Sequence, residues 1–470
     1  LTQPAAVPTS QDEIGLSDKD HKLNYDDKLS PSASAILKLI KTLEDGGQLK
    51  IFQADDEFEA LRKIVISYRG SLFTLLKKKL NNVVKLGGVE IITQRDVMSL
   101  IINLWKTNIS NLTASELPFL ESILKNPKYS LRELSESARL SYAQSRRAQK
   151  RLIDSGVLRV GGMLNPNRLG LDRLLIILEN PTMVLSGPYC QKNLFIDGSP
   201  SVVFTVVSIP HTKIKDMIEV VRSLRDVTTN ASIWRLSTGI PRFDGTYFDK
   251  KDGWELDLLH FRLMLRKGGE SLTMSEIASP KVEDPVKFTA SEVLVMDQLI
   301  KSIDGTAGDI VRSTNLSESS AFRKRAKLLK DNIILPRAHV AIPQLGDRVI
   351  CLLSPEIAGD IAPAWSKLPL TYQSQIRNME SGEKQVLLST ALPTGSSKDM
   401  INIMKDEISK VHRYSIHRVA AGSGLTTKVS SMFDRRAKTW KWDTSRYFDV
   451  VSYGVIRKEA SENEIPLDLA

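Results

Sequence analysis

The feature that most constrains this chain is an internal repeat. Leu112-Thr113-Ala114-Ser115-Glu116 recurs as Phe288-Thr289-Ala290-Ser291-Glu292, an offset of 288 − 112 = 176. The same offset pairs Leu140-Ser141 with Leu316-Ser317, Leu152 with Leu328 and Leu169-Gly170 with Leu345-Gly346, with no gap between them. Further on the register drifts. Pro210 matches Pro393, Lys215-Asp216-Met217-Ile218 matches Lys398-Asp399-Met400-Ile401, and Phe248-Asp249 with Trp254 echoes Phe433-Asp434 with Trp440. Two copies, over about 110–265 and 286–453, therefore share one fold, and any account of one copy has to serve the other.

Each copy opens on a helix. Thr113 and Thr289 are suitable N-caps, and Glu116 and Glu292 stand at the capping-box spacing. The inward stripe is Leu117, Leu120, Ile123 and Leu124 in the first copy, and Val293, Met296, Leu299 and Ile300 in the second. A short second helix follows, Ser130 to Leu140 and Thr306 to Leu316, and then a basic helix capped by Ser141 or Ser317. Gly156 and Asn332 end the basic helices, since both residues tolerate the left-handed conformation of a C-cap. Val157–Val160 and Ile333–Leu335 then suit the first strand of a wing. A short second helix and a tight turn leave the third helix projecting, so its N-terminal part can enter a major groove. The predicted DNA-contacting residues are Ser141, Tyr142, Gln144, Arg146, Arg147, Lys150, Arg151 and Arg159 in the first copy. In the second they are Ser317, Ser319, Ser320, Arg323, Lys324, Lys327 and Arg337. Arg can pair bidentately with guanine, and the remaining cations suit phosphates. The net charge of +10, from 65 Lys+Arg against 55 Asp+Glu, favours a polyanion partner only modestly.

The pattern Leu140-Ser141, Arg146-Arg147, Arg151-Leu152, Gly156-Val157-Leu158, Asn165-Pro166 and Leu169-Gly170-Leu171 resembles the helix-turn-helix and hinge of the leucine-responsive regulator (Lrp/AsnC) family. The second copy keeps Leu316-Ser317, Arg323, Lys327-Leu328 and Leu345-Gly346. Gln149 and Arg325 depart from it, standing where the family usually has a buried apolar residue. The resemblance implies a βαββαβ sensing domain after each helix-turn-helix. In copy two this maps to a strand over Arg348–Leu353, a helix over Ile361–Lys367 and strands over Tyr372–Asn378 and Gln385–Ala391. A helix over Ser397–Lys410 and a strand over Tyr414–Val419 complete it. Copy one gives Arg173–Leu178, a degenerate stretch through Tyr189, Leu194–Asp197, Ser201–Ser208, Thr212–Arg225 and Ser232–Leu236. The Phe-Asp…Trp extension lies outside the family pattern. Its Trp254 and Trp440 are expected to pack rather than to face nucleic acid.

The predicted fold class is α+β, with an N-terminal all-α domain followed by two copies of a winged helix-turn-helix plus a ferredoxin-like βαββαβ unit. The expected divisions are a disordered acidic tail over 1–30, a helical domain over 31–108, winged helix 1 over 109–170 and α/β unit 1 over 171–265. A linker over 266–285, winged helix 2 over 286–346, α/β unit 2 over 347–455 and a tail over 456–470 follow. A sheet face in such a sandwich needs a partner, so the two copies are expected to pair with each other as an internal pseudo-dimer. The partners this implies are double-stranded DNA, with room for a second chain and for a small-molecule effector at the α/β units.

Cys190 and Cys351 are too few for a disulfide framework and have no zinc spacing, which suits a reducing cytoplasm and, with DNA, the nucleoid. No apolar run approaches the ~20 residues of a membrane span, and Leu1-Thr2-Gln3-Pro4 does not begin a signal peptide. The six His residues form no metal spacing, and no phosphate-binding loop or nucleophile elbow appears, so no metal, no cofactor and no enzyme are expected. Two alternatives remain. One is a winged-helix scaffold of a transcription or chromatin assembly. The other is a fused enzyme like the sirohaem decarboxylases, which resemble the same family.

Overall fold

The protein is described by a computed structural model. It describes residues 25–45, 61, 65, 71–85, 91–104, 112–196, 198–249, 251, 253–267, 285–303, 307–408, 414–424, 429–444 and 448–461. The chain divides into two compact units, Leu1–Ile109 and Ser110–Ala470. Most of the expected acidic tail and linker, the end of the C-terminal tail and parts of the expected helical domain lie outside the described residues.

The first unit is helical. Ser30 caps α1 (Pro31–Glu44), its hydroxyl accepting from Ala33 N at 3.2 Å, with Pro31 in the first turn, where a missing N–H costs nothing. Leu37 and Ile40 of α1, Leu72, Leu76 and Leu80 of α2 (Leu72–Lys85), and Val97 and Ile101 of α3 (Gln94–Leu104) share one core with Leu61 and Val65. That core extends further back than the sequence predicts. Tyr25 is 3% exposed, and burial beside Asp26 pushes its phenol up to about 12. Residues 25–30 therefore belong to the helical unit rather than to a disordered tail. Lys77, Lys78 and Lys79 are all exposed, and Lys77 lies over the Tyr25 ring at 5.7 Å.

In the second unit, copy 1 runs α4 (Glu116–Lys125), α5 (Leu131–Ser137), α6 (Tyr142–Asp154), β1 (Leu158–Leu164), β2 (Leu171–Glu179), β3 (Met183–Ser186), β4 (Cys190–Ile196) and β5 (Val202–Pro210). It continues with α7 (Ile214–Ser223), β6 (Asn230–Leu236), β7 (Ile240–Phe243) and α8 (Leu258–Lys267). Copy 2 runs α9 (Ala290–Lys301), α10 (Ala307–Thr314), α11 (Glu318–Lys330), β8 (Ile334–Val340), β9 (Asp347–Leu353), α12 (Pro355–Trp365), β10 (Leu370–Asn378) and β11 (Lys384–Leu392). It continues with α13 (Ser397–Ile408), β12 (Tyr414–Arg418), β13 (Ala421–Gly424), β14 (Asp449–Ser452) and α14 (Tyr453–Ser461).

Both α/β units have the ferredoxin-like strand order, β6-β2-β5-β4 in copy 1 and β12-β9-β11-β10 in copy 2. They join edge to edge where β6 pairs with β10, Leu236 opposite Ile376, to make one ten-stranded sheet. Its far ends also meet. Val419 N donates to Arg348 O at 2.9 Å and Ala420 N to Phe195 O at 2.8 Å, so the two residues between β12 and β13 cross from one end of the sheet to the other. The sheet is thus curled on itself. Because side chains alternate along a strand, each unit sends one set inward. Leu175, Ile177, Phe204, Val206 and Trp234 of copy 1 pack there against Ile350, Leu352, Ile376 and Leu387 of copy 2. The two copies are fused through this shared core.

The extensions cross over. After β6, strand β7 pairs with β10 of copy 2, and after β12, strand β13 pairs with β4 of copy 1. Phe261 of α8 enters the core of copy 2, while Ala460 of α14 enters that of copy 1. The predicted C-terminal tail is therefore helical as far as Ser461. In copy 1 the first helix of the βαββαβ pattern is absent. The degenerate stretch forms β3 instead, which β14 covers antiparallel, Val451 opposite Val184. Cys190 and Cys351 are free and buried, and burial drives both thiol pKa values far up.

Candidate nucleic-acid interface

Each helix-turn-helix is held by local chemistry that the sequence specifies. Ser141 Oγ accepts from Gln144 N at 3.2 Å while Gln144 Oε1 accepts from Ser141 N at 2.9 Å, a complete capping box at the start of α6. Thr289 and Glu292 make the same arrangement at the start of α9. The turns before α6 and α11 are left-handed at Arg139 (φ 54°) and Asn315 (φ 56°), again one offset of 176 apart. The helix ends at Gly156 (φ 75°) and Asn332 (φ 53°) adopt the left-handed caps expected of them.

The same repeat places a carboxylate under each third helix. Glu116, 2% exposed, receives both arms of the Arg151 guanidinium. Glu292, 3% exposed, receives Lys327 Nζ at 2.7 Å. Burial alone would push the Glu292 carboxyl up, but the Lys327 ammonium and the Thr289 donors outweigh it and hold the carboxyl below its ordinary range. These pairs tie the third helix to the first within each copy. Arg325 sends Nη2 to Ile303 O at 3.0 Å, two residues beyond the end of α9.

The expected wing takes a different form. The strand after each basic helix finds its partner in the other copy: β1 and β8 pair antiparallel, with Leu158 opposite Val340 and Leu164 opposite Ile334. This shared ribbon stands in place of two hairpins and satisfies the backbone groups that each strand turns toward the other. The seven pairs make it about 20 Å long at ~3.4 Å per residue. Because the ribbon is antiparallel, α6 enters at one end and α11 at the other. α9 lies so close to it that a Cβ on Gly162 would come within 2.6 Å of Leu299 O. Ala338, Val340 and Leu370 of copy 2 complete the core of the copy 1 helices, and Leu169 and Leu171 of copy 1 complete that of the copy 2 helices. Trp440 packs tilted against Phe288 and edge-on to Phe433 and donates to Leu169 O at 2.8 Å, and Trp254 lies between Phe243 and Phe248. Both tryptophans pack, as predicted.

The predicted contact residues separate into three groups. Ser141, Tyr142, Gln144, Arg146, Arg147 and Lys150 are exposed along α6 and its cap, Arg159 is exposed on β1, and Ser317, Ser319 and Arg323 are exposed on α11 and its cap. Ser320 and Lys324 are half-buried. Arg151 and Lys327 are engaged by the carboxylates beneath them, and Arg337 is turned inward. Arg337 is 4% exposed, with its guanidinium over the Tyr372 ring at 5.7 Å and Nη1 on Met163 Sδ at 2.7 Å. It is a core residue of the ribbon and is removed from the contact set. Phe322, which lies outside the predicted contact set, is 63% exposed on α11. Its alignment with Arg146 at the 176 offset was the available signal.

Among the described residues no group of His, Cys, Asp and Glu is placed to hold a metal ion, and no helix is long and apolar enough to cross a membrane. A cleft of about 630 Å³ lies beside α7, lined by Asp216, Glu219, Val220, Ser223, Trp442, Asp443 and Thr444.

No family model matches the chain, and no curated protein matches it. Among solved structures it is similar to the siroheme decarboxylase NirDL, at 10% identity over 67% of this chain and 96% of that one, with a TM-score of 0.39. The same enzyme in complex with an iron-uroporphyrin III analogue matches at 10% identity over 65% and 92%, TM-score 0.37. An aspartate kinase from Synechocystis matches at 10% identity over 64% and 56%, TM-score 0.22. The expectation that the chain is not an enzyme is corrected by these neighbours, which are enzymes.

Proposed function

We propose that this chain is a DNA-binding transcriptional regulator that brings two helix-turn-helix units to one duplex from a single polypeptide. The observation that carries this is the pair of third helices, α6 and α11, set at opposite ends of one shared ribbon with Arg146, Arg147, Lys150 and Arg323 exposed. The internal ties at Glu116 and Glu292 fix each helix without using these cations, so they remain for phosphates and base edges. The resemblance to leucine-responsive regulators supports the same reading. The partner is double-stranded DNA, and the pseudo-dimer replaces the association of two separate chains.

The test is equilibrium binding of the full chain to a mixed duplex pool across a salt series. The expected result is an affinity that falls steeply with salt, log K changing by roughly 0.9 per log unit of salt for each phosphate engaged. No binding at low salt, or an affinity indifferent to salt, would overturn the reading.

A further inference from the structure

The two third helices share a fold and a frame but not a surface. Aligned at the offset of 176, Tyr142 stands opposite Glu318, Gln144 opposite Ser320, Arg146 opposite Phe322 and Lys150 opposite Ala326. Among the positions exposed in both helices only Arg147 and Arg323 carry the same residue. The exposed face of α6 is thus cationic, with Arg146, Arg147 and Lys150. That of α11 presents a carboxylate in its first turn and an aromatic ring 63% exposed one turn later. On the buried side Leu152 and Leu328 match and are fully buried in their respective cores, and Ser145 and Ala321 are both small and fully buried.

Resting on the DNA-binding reading above, we propose that the target is a non-palindromic duplex with two unlike half-sites, so that the chain binds it in one orientation. At the α6 half-site Arg146 and Arg147 select guanine through its O6 and N7 acceptors. At the α11 half-site the Phe322 ring packs on a thymine methyl group and Glu318 accepts from a cytosine N4 amino group, with Arg323 as the one cation in common. A dimer of identical chains presents the same face twice and so selects an inverted repeat. One chain with two different faces has no such constraint.

The experiment is selection of the full chain on a randomised duplex library, followed by binding of the recovered site to variants. The expected motif has two dissimilar halves in fixed order. Phe322→Ala and Glu318→Gln should each weaken the recovered site roughly tenfold, and only through the α11 half, since one lost base contact costs about 5- to 150-fold. A graft carrying Glu318→Tyr, Ser320→Gln, Phe322→Arg and Ala326→Lys should shift selection toward an inverted repeat. Recovery of an inverted repeat or of a single half-site by the unmodified chain would overturn the proposal. So would duplex binding without any sequence enrichment, which leaves the DNA-binding reading standing. Failure to bind any duplex would instead remove that reading, and this proposal with it.

Discussion

At the scale of single residues the repeat acts as an internal control, because each copy shows what the other position tolerates. Ser145 is fully buried in α6, and its hydroxyl has no hydrogen-bond partner among the described residues. Copy 2 carries Ala321 at the matching position, also fully buried. A buried hydroxyl without a partner forfeits its hydration for nothing. Ser145→Ala is therefore expected to stabilise the second unit by about 1 kcal/mol, read as a higher urea midpoint with unchanged slope; a lower midpoint would show that the hydroxyl is bonded. The Glu292–Lys327 pair gives a pH signature. Its folded carboxyl lies below the ordinary 4.5, so the pair's stabilisation is present above that value. It fades as pH falls and is gone once the folded carboxyl itself takes up a proton. Lys327 is 45% exposed, so the contribution at pH 7 is only about 1 kcal/mol. Glu292→Gln should cost that much at pH 7 and progressively less as the pH is lowered below 4.5, and a cost independent of pH would contradict the assignment.

At the scale of elements, α9 packs closely on the ribbon at Gly162. Gly162→Ala would place a methyl group 2.6 Å from both Leu299 O and Ile334 Cγ2, and backbone atoms cannot step aside as side chains do. A cost of about 1–3 kcal/mol is expected, seen in denaturant unfolding, and an unchanged midpoint would mean that α9 rides free of β1. Helices of both units and strands of the sandwich were legible in the sequence because their causes are local: caps at Ser141 and Thr289, left-handed ends at Gly156 and Asn332, apolar runs at Val349–Leu353 and Val386–Leu388. Strand partners were not. Val157–Val160 read as the start of a wing because nothing local says that its hydrogen bonds go to residues about 180 positions away. Arg337 read as a groove contact for the same reason: its burial depends on Tyr372, a residue of β10. Phe322 was missed in the opposite sense, since an apolar residue on a helix is ordinarily part of the core.

At the scale of the whole molecule, neither copy is complete alone. The copy 1 helices need Ala338, Val340 and Leu370, the copy 2 helices need Leu169 and Leu171, and the inner face of each sheet is covered by the other. Residues 112–267 expressed alone are expected to lack cooperative unfolding, and to regain it when 285–461 is supplied as a second chain. A cooperatively folded first half would show that the shared cores are dispensable. The same fusion fixes the spacing of the two third helices, which is what would let one chain do the work of a dimer on DNA, as we propose. That claim is tested most directly by hydroxyl-radical footprinting of the full chain on its selected duplex, at a protein concentration where one chain binds one duplex. Two protected patches are expected, separated by one helical turn of DNA, about 34 Å, or a small multiple of it, with Arg147→Ala erasing one and Arg323→Ala the other. A single patch, or two that appear together only when a second chain is bound, would contradict it.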